Sequence, residues 1–199
     1  MVSIGGFNHK DMDSVSPSTL SHCETYNLSD NSWNEIAFLR EGRAFAGAIP
    51  YNQKFIYLFG GCHDEQVLNT IEKYDALIDD WSLLQYKMPK HIAKFGIVLY
   101  DDYVLLVGGI FVNFEDTNEV NRFNLKNFKW DKVNPMRDGR AVSGNTWIYN
   151  GIIYTIGGNQ FFSSERMDVK ANKWSPLPSY ISTFEKNELE TWCGCLVQA

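Results

Sequence analysis

The chain has 199 residues, 44% of them hydrophobic, which suits one domain with a sizeable buried core. Its formal net charge of −6 argues against a general nucleic-acid binder and against docking on an anionic membrane through charge. The sequence contains no uninterrupted apolar window of about 18 residues and no basic flank at residues 1–6, so we expect neither a membrane span nor a signal peptide.

The first predicted strand covers residues 1–4 and ends at the pair Gly5–Gly6. The same combination of apolar strand and glycine pair returns with strands at residues 55–59, 104–107 and 152–156. Continuous apolar runs of this length are typical of strands buried on both faces. The chain therefore carries an internal repeat of about 50 residues.

Each repeat also contains a bulky residue followed seven positions later by a tryptophan. The interval from tryptophan to the first glycine of the next pair is 27 residues in all three cases (33 to 60, 81 to 108, 130 to 157). Only the interval from glycine pair to bulky residue varies, so we place a loop there. The structural residues of the repeat are Gly5, Gly6, Gly60, Gly61, Gly108, Gly109, Gly157, Gly158, Tyr26, Tyr74, Phe123, Met167, Trp33, Trp81, Trp130 and Trp174.

A further strand precedes each of the last three glycine pairs, at residues 43–49, 93–100 and 141–149. Short polar turns follow these strands, and Asn150–Gly151 is the strongest hairpin signal among them. We name the strands of one repeat a, b, c and d in chain order; strand c carries the bulky residue and strand d the tryptophan. Because no segment has a sustained helical period, the sequence predicts an all-β chain of antiparallel sheets.

A glycine pair after an apolar strand, followed by a spaced Tyr and Trp, resembles the kelch repeat of β-propellers. The resemblance implies four four-stranded antiparallel blades, which form either a small closed ring or an arc of a larger propeller. We expect a single domain over residues 1–199. Its blades are predicted at residues 1–36 plus a C-terminal strand at 191–198, then at 43–84, 92–133 and 140–177.

The loops that vary in length all fall at one end of the predicted blades. The a–b and c–d turns are short, whereas the b–c loops span residues 7–22, 62–69, 110–118 and 159–161, and the last d–a connection spans 177–190. Loops on a rigid scaffold commonly carry function. We therefore predict that the interaction surface lies at the end of the b–c and d–a loops.

Two arginines, Arg43 and Arg140, stand four residues before a glycine of strand a, and Lys90 and His91 occupy the same neighbourhood in the third repeat. The sequence here is similar to kelch substrate receptors of ubiquitin ligases, which implies that these residues bind acidic peptides, since guanidinium pairs well with carboxylate. In the alternative, the arginines only satisfy loop carbonyls. Neighbouring aromatic residues either anchor a partner or cover blade edges: Phe7, Phe111, Phe114, Phe161 and Phe162.

No constellation for chemistry is visible. The four cysteines, Cys23, Cys62, Cys193 and Cys195, lack the spacing of a disulfide framework or zinc site, which favours a reducing, cytoplasmic setting. The histidines likewise belong to no closed ligand set. We therefore predict no metal and no cofactor.

The sequence favours a non-enzymatic scaffold or adaptor that binds a protein or an acidic peptide. A ubiquitin-ligase or cytoskeletal partner is implied by the family resemblance alone. The alternative is a small kelch-type sugar-modifying enzyme, similar to a mutarotase or epimerase, with its site at the channel mouth. Its candidate residues are Arg43, Arg140, Glu190 and His91.

Overall fold

The computed structural model describes residues 1–8, 18–142, 145–158 and 163–178, and every named element in these ranges is a β-strand. The chain divides between Ala93 and Lys94 into two units. Each unit contains two antiparallel blade sheets whose strands lie side by side in chain order, and the first unit also contains a separate two-stranded sheet. This meander is the expected kelch-type β-propeller blade, so the all-β prediction is confirmed.

The first unit contains blades 1 and 2. Blade 1 has three described strands, which supply positions b, c and d: β1 (Val2–Ile4), β2 (Cys23–Asn27) and β3 (Ser32–Ile36). Blade 2 has all four strands: β4 (Gly47–Tyr51), β5 (Phe55–Phe59), β8 (Ile71–Asp75) and β9 (Asp80–Leu83). Between its strands b and c lies a small separate hairpin: β6 (Cys62–His63) and β7 (Gln66–Val67).

The second unit contains blades 3 and 4, each with four strands. Blade 3 consists of β10 (Gly96–Tyr100), β11 (Tyr103–Val107), β12 (Val120–Asn124) and β13 (Trp130–Val133). Blade 4 consists of β14 (Thr146–Tyr149), β15 (Ile152–Ile156), β16 (Ser164–Asp168) and β17 (Lys173–Pro176). The predicted strand at 191–198 lies outside the described residues.

The fixed spacing of seven residues places the bulky residue and the tryptophan directly opposite each other on strands c and d. This register holds in all four blades: Tyr26 with Trp33, Tyr74 with Trp81, Phe123 with Trp130, and Met167 with Trp174. The Tyr74 and Trp81 ring centroids are 5.2 Å apart. Cross-strand pairs of this kind stabilise a sheet, which explains why the turn between them keeps its length.

Strand b was predicted well, and strand a begins later than predicted. The observed β5 and β15 have the predicted bounds, whereas β4 begins at Gly47 and not at residue 43. Residues before it leave the sheet: Ala44 forms a bridge with Cys62, and Phe45 has a φ of 55°. The hairpin β6–β7 was not predicted, because two-residue strands have no measurable periodicity.

The apolar core of each unit lies between its two blades. In the first unit Trp81 is fully buried and packs with Cys23, Leu39 and Leu58, among others. Residues from blade 1 thus cover the tryptophan of blade 2. The indole of Trp81 therefore lies between neighbouring sheets.

The glycine pairs connect one blade to the linker that enters the next. Gly5 has a φ of +59°, and a Cβ added to it would lie 2.4 Å from the carbonyl oxygen of Arg43. Gly6 donates its N–H to that same carbonyl oxygen at 2.9 Å. In the same way, a Cβ added to Gly108 would lie 2.5 Å from the carbonyl oxygen of Arg140, and Gly109 donates its N–H to that oxygen at 2.8 Å. A side chain at the first position would clash with the linker, which accounts for the glycine.

Candidate interaction site

Arg43 lies in the linker that enters blade 2, and it is only 1% exposed. Its Nη2 lies 2.6 Å from Oε1 of Glu72, which is also buried, and its Nη1 donates to the carbonyl oxygen of Gly60 at 3.1 Å. Burial lowers the pKa of Arg43, whereas the charges of Glu72 and Glu41 raise it. Because arginine keeps its proton in proteins, the pair is ionic.

Glu72 also binds the backbone of the linker. Its Oε2 accepts the N–H of Arg40 at 2.8 Å, and its Oε1 accepts the N–H of Glu41 at 3.3 Å. One buried carboxylate therefore holds two backbone donors and one guanidinium. Such a buried ion pair is stable only when further hydrogen bonds satisfy it, as they do here.

Blade 4 repeats this arrangement. Arg140 is fully buried; its Nη2 lies 2.7 Å from Oε1 of Glu165, and its Nη1 donates to the carbonyl oxygen of Gly157 at 3.1 Å. The Glu165 carboxylate accepts the N–H groups of Arg137 and Asp138 at 2.9 and 3.3 Å. The two units thus contain the same arginine cluster with nearly the same distances.

The four predicted partner-binding residues divide into two groups. Arg43 and Arg140 bind carboxylates and loop carbonyls inside the chain, in agreement with the alternative stated from the sequence. Lys90 and His91 are exposed on the linker that enters blade 3. Contact of any of the four with a partner stays a prediction, and Glu190, Phe161 and Phe162 lie outside the described residues.

The partner carboxylates, Glu72 and Glu165, were missed by the sequence reasoning. Each stands two residues before the bulky residue of strand c, and the third repeat has Asn121 there. The third repeat has Ile92 at the arginine position. The carbonyl oxygen of Ile92 accepts the N–H of Gly61, just as the carbonyl oxygen of Arg43 accepts the N–H of Gly6. The third repeat thus lacks both the arginine and the glutamate that repeats two and four share. This joint replacement was the sequence signal that could have revealed the ion pair.

The b–c loops of blades 1 and 2 are bonded to each other. Asp64 in the β6–β7 hairpin accepts the N–H of Thr19 at 3.1 Å, and this bond lowers the pKa of Asp64. His63 Nδ1 lies 2.6 Å from the carbonyl oxygen of Gly42, so this nitrogen is the donor. The hairpin is therefore bonded to Thr19 at the end of the blade 1 loop and to Gly42 of the following linker.

Two phenylalanines, Phe45 on the linker into blade 2 and Phe114 on the b–c loop of blade 3, are exposed and have strained backbones. Phe45 is 43% exposed with a φ of 55°, and its ring meets Phe7 edge to face at 5.2 Å. In the second unit Phe114 is 73% exposed with a φ of 60°. Bulky residues rarely adopt positive φ, and such strain clusters at functional sites.

Metal-ligating groups and cavities are the remaining site features of the part of the chain that the structure describes. Those residues include no group of three or more metal-ligating side chains. A cavity of about 310 Å³ lies on the flank of blade 4, lined by strands b, c and d and the c–d turn, and its polar residues include Arg166, Asp168 and Lys173. This is not the loop end where the enzymatic alternative places its site, so that alternative stays a prediction.

Over the described ranges, no helix has the length and apolarity needed to span a membrane. The Kelch motif family model matches residues 56–88, which run from strand b of blade 2 into the linker that follows this blade. This segment contains the Gly60–Gly61 pair and the Tyr74–Trp81 pair.

Several curated proteins are similar to the chain. Spermatocyte protein spe-26 of Caenorhabditis elegans is 27% identical over 62% of this chain and 24% of its own length. Kelch-like protein 40 of Xenopus laevis is 27% identical over 76% of this chain and 25% of its own length. The chain thus spans about a quarter of the length of these two relatives.

A putative F-box/kelch-repeat protein of Arabidopsis thaliana is 24% identical over 82% of the chain and 53% of its own length. Among solved structures, that of YjhT superimposes with a TM-score of 0.68 at 18% identity, over 79% of this chain and 55% of YjhT. At that identity the likeness concerns the fold alone.

Proposed function

Because the chain belongs to the kelch-repeat proteins, we propose that it is a non-enzymatic scaffold that binds a partner protein through its b–c loops and linkers. The observation that carries the proposal is the pair of exposed phenylalanines at positive φ, Phe45 and Phe114. An exposed aromatic side chain in a strained conformation has no role in the core. It suits the anchor of an interface.

The chemistry of the partner follows from the charged residues of the linker into blade 3. Lys90 and His91 are exposed on the linker into blade 3, and Lys94 follows them with the same positive φ as Phe45. These side chains suit a protein segment or peptide that combines acidic and apolar residues. A ubiquitin-ligase or cytoskeletal partner rests on the family resemblance alone.

In this proposal Arg43 and Arg140 act as positioning residues. The side chain of each arginine donates to the carbonyl oxygen of the first glycine in its own blade, Gly60 or Gly157. Its backbone carbonyl accepts the N–H of the second glycine in the preceding blade, Gly6 or Gly109. Each arginine therefore holds two neighbouring loops. Their substitution would disturb the loops even without a direct partner contact. Loss of binding in an arginine variant therefore does not identify the contact surface.

The test uses the phenylalanines, because they are exposed. The chain is immobilised and captured proteins are quantified for the wild type, Phe45→Asn and Phe114→Asn, since asparagine tolerates positive φ. Leu77→Asn is the matched control, because Leu77 is 74% exposed on a c–d turn.

We expect a set of proteins that the wild type and Leu77→Asn capture in equal amounts. At least one phenylalanine variant should capture about tenfold less of these proteins, as expected for the loss of an interface anchor. A purified protein from that set must then bind the wild type directly. It must bind Leu77→Asn with the same affinity and the affected phenylalanine variant more weakly. If both phenylalanine variants capture what the wild type does, the loops are not the binding surface.

A further inference from the structure

The a–b turn of blade 4 consists of the two residues Asn150 and Gly151. Tyr149 and Ile152 pair directly across the hairpin, so no other residue belongs to the turn. Asn150 has a φ of 49° and Gly151 a φ of 75°. Positive φ at both central residues of a two-residue loop defines a type I′ turn. Asn150 is exposed at the tip of this turn.

Three contacts hold the turn closed. The first is the pairing of Tyr149 with Ile152. In the second, the carbonyl oxygen of Gly151 accepts the N–H of Val169, the residue after strand c, at 3.1 Å. In the third, the ring of Tyr100 in blade 3 lies beside Gly151, since a Cβ added to this glycine would be 3.6 Å from Tyr100 Cε2. A change of conformation in the turn therefore requires a local opening of blade 4.

An asparagine followed by a glycine carries a reaction of its own. The backbone nitrogen of Gly151 can attack Cγ of Asn150, so that a new C–N bond forms and the C–N bond of the side-chain amide breaks. The amide nitrogen leaves as ammonia and takes the proton of the Gly151 N–H with it. The product is a five-membered succinimide, which water opens at one of its two carbonyls to give aspartate or isoaspartate. Because glycine has no side chain, its nitrogen is unhindered for this attack.

The sequence contains this dipeptide once. Asn150–Gly151 is the only asparagine–glycine pair among the 199 residues. The a–b turn of blade 2 also places an asparagine at positive φ, Asn52 at 52°, but Gln53 follows it. The side chain of Gln53 hinders attack by its nitrogen. Asn52 is therefore an internal reference with a similar backbone conformation and a slower reaction.

The folded turn opposes the reaction. In the succinimide, the Gly151 nitrogen must eclipse Cβ of Asn150 about the Cα–C bond, because these atoms belong to one small ring. A type I′ turn is the mirror image of type I, which sets ψ of its first central residue to about +30°. At this angle the Gly151 nitrogen lies close to the backbone nitrogen of Asn150 and is turned away from Cβ. The ring therefore closes only after the turn has opened.

The two hydrolysis products differ in their fit to the hairpin. Blade 3 has a two-residue a–b turn between Tyr100 and Tyr103, and its first residue is Asp101 with a φ of 53°. An aspartate formed from Asn150 would therefore fit the turn. Isoaspartate carries the main chain through its side-chain carbon, which lengthens the turn. Because turn length fixes the register of a hairpin, the pairing beside the turn would be lost.

We infer that Asn150 is a modification site, which deamidates through a succinimide when the a–b turn of blade 4 opens. The isoaspartate that forms keeps the turn from closing again, so the reaction converts a transient opening into a lasting change of this blade. The site lies at one end of strand b, and the b–c loop lies at the other. It is therefore separate from the surface of the proposed function.

The experiment incubates the full chain at neutral pH in buffer and in concentrated urea, and the samples are then digested with trypsin. Cleavage after Arg140 and Arg166 releases residues 141–166 as one peptide. Mass spectrometry of its fragments detects the exchange of the Asn150 amide for a carboxyl. An aspartate-specific protease separates the two products, because it cleaves at aspartate and not at isoaspartate.

We expect both products at position 150. The rate in buffer should be at least about tenfold lower than in urea, because only molecules with an open turn react. Asn52 should stay unmodified over the same period in both conditions. A rate in buffer that equals the rate in urea would overturn the gating by the turn, and an intact Asn150 in urea would overturn the site itself.

Two matched variants show which part of the chain must open. Ile153 in blade 4 and Ile71 in blade 2 are both fully buried. Ile153→Val removes a carbon from the core beside the turn and should raise the rate in buffer about threefold, since a mild core truncation weakens the surrounding structure. Ile71→Val removes the same group from the first unit and should leave the rate unchanged. Equal acceleration by both variants would show that deamidation requires unfolding of the whole chain, against the inference.

A last measurement tests the effect of the product. Asn150→Asp should have the urea midpoint of the wild type, because blade 3 has an aspartate in the same turn. The chain isolated after isoaspartate formation should unfold at lower urea. If its midpoint equals that of Asn150→Asp, the turn closes around isoaspartate and the inferred lasting change of blade 4 is wrong.

Discussion

Blades 1 and 2 carry the same aromatic pair in two different environments. The ring centroids of Tyr26 and Trp33 are 5.2 Å apart, as are those of Tyr74 and Trp81. Both pairs lie directly opposite each other on strands c and d. Yet Trp81 is completely buried and Trp33 is 46% exposed.

The difference lies in what covers the indole. Trp81 belongs to a cluster that includes Cys23 and Leu39 from blade 1 and its linker, whereas Trp33 belongs to neither of the described core clusters. The repeat thus sets the geometry of the pair, and the neighbouring blade provides the burial. In repeat proteins, interfaces between neighbouring repeats contribute a large part of the stability. A comparison of the two tryptophans separates the stability that comes from packing between blades from the stability that comes from packing within one blade.

The sharpest test of the comparison replaces each indole. Trp81→Ala should lower the free energy of unfolding by about 4 kcal/mol, because it removes a fully buried aromatic side chain from between two sheets. Trp33→Ala should cost less than about 1 kcal/mol, since much of that ring already contacts water. Urea unfolding of both variants measures the difference. Equal losses would mean that burial by blade 1 contributes nothing to the stability of blade 2.

The ion pair between the linker and blade 2 gives a second test. Arg43→Ile alone should cost about 3 kcal/mol, because the Glu72 carboxylate is left buried with an uncompensated charge. Adding Glu72→Asn should recover about 1 kcal/mol or more, since neighbouring substitutions are strongly coupled and the third repeat carries Ile92 and Asn121.

Arg40→Ala is the matched control for this cycle. Arg40 forms an exposed pair with Asp80, in which the two side chains are 56% and 45% exposed. Its loss should cost under about 1 kcal/mol. If the double variant is no more stable than Arg43→Ile, the two residues are not coupled as the contacts indicate.

A smaller effect is expected at the residue that follows strand c by one position. Leu125 is buried in blade 3, and its N–H donates to the Asp102 carbonyl of the a–b turn at 2.9 Å. Leu28, its counterpart in blade 1, is exposed, and blade 1 has no a–b turn among its described residues. Leu125→Ala should cost about 2 kcal/mol and Leu28→Ala under about 0.5 kcal/mol in the same urea assay. A comparable loss at Leu28 would show that another segment covers it.

The sequence predicted the repeat frame because local spacing determines it. The interval of seven positions from Tyr74 to Trp81 contains one tight turn between paired strands, and the glycine pairs occur where a linker carbonyl comes too close for a side chain. Both constraints act within or next to one hairpin. They therefore leave a pattern that can be read along the chain.

The direction of the arginine side chains could not be predicted in the same way. Arg43 was predicted at the start of strand a and lies in the linker before it, and Glu72 lies 29 residues further on, so no local period connects them. The exposure of Trp33 was hidden for a related reason. Its burial depends on a neighbouring sheet and not on its own repeat.

The c–d turns provide the last test, because they differ by one charge. Asp79 accepts the Ala37 N–H, whereas Asn172 makes the same bond in blade 4 with a neutral amide. The Ala37 N–H and then the Tyr74 hydroxyl hold the pKa of Asp79 below its ordinary value of 3.8. Burial and the bond to Asp79 raise the pKa of Tyr74 to about 12.

A carboxylate whose pKa is lower in the folded state stabilises the protein above its ordinary pKa, and this contribution is lost as the pH falls through the folded value. Asp79→Asn keeps the acceptor oxygen but does not titrate. Wild type and variant should therefore differ most near neutral pH, and their unfolding free energies should converge as the pH falls below about 4. Urea midpoints between pH 6 and pH 3 measure this. Parallel pH profiles would show that the charge of Asp79 contributes nothing to the contact between the blades, which would then depend on the acceptor oxygen alone, as it does at Asn172.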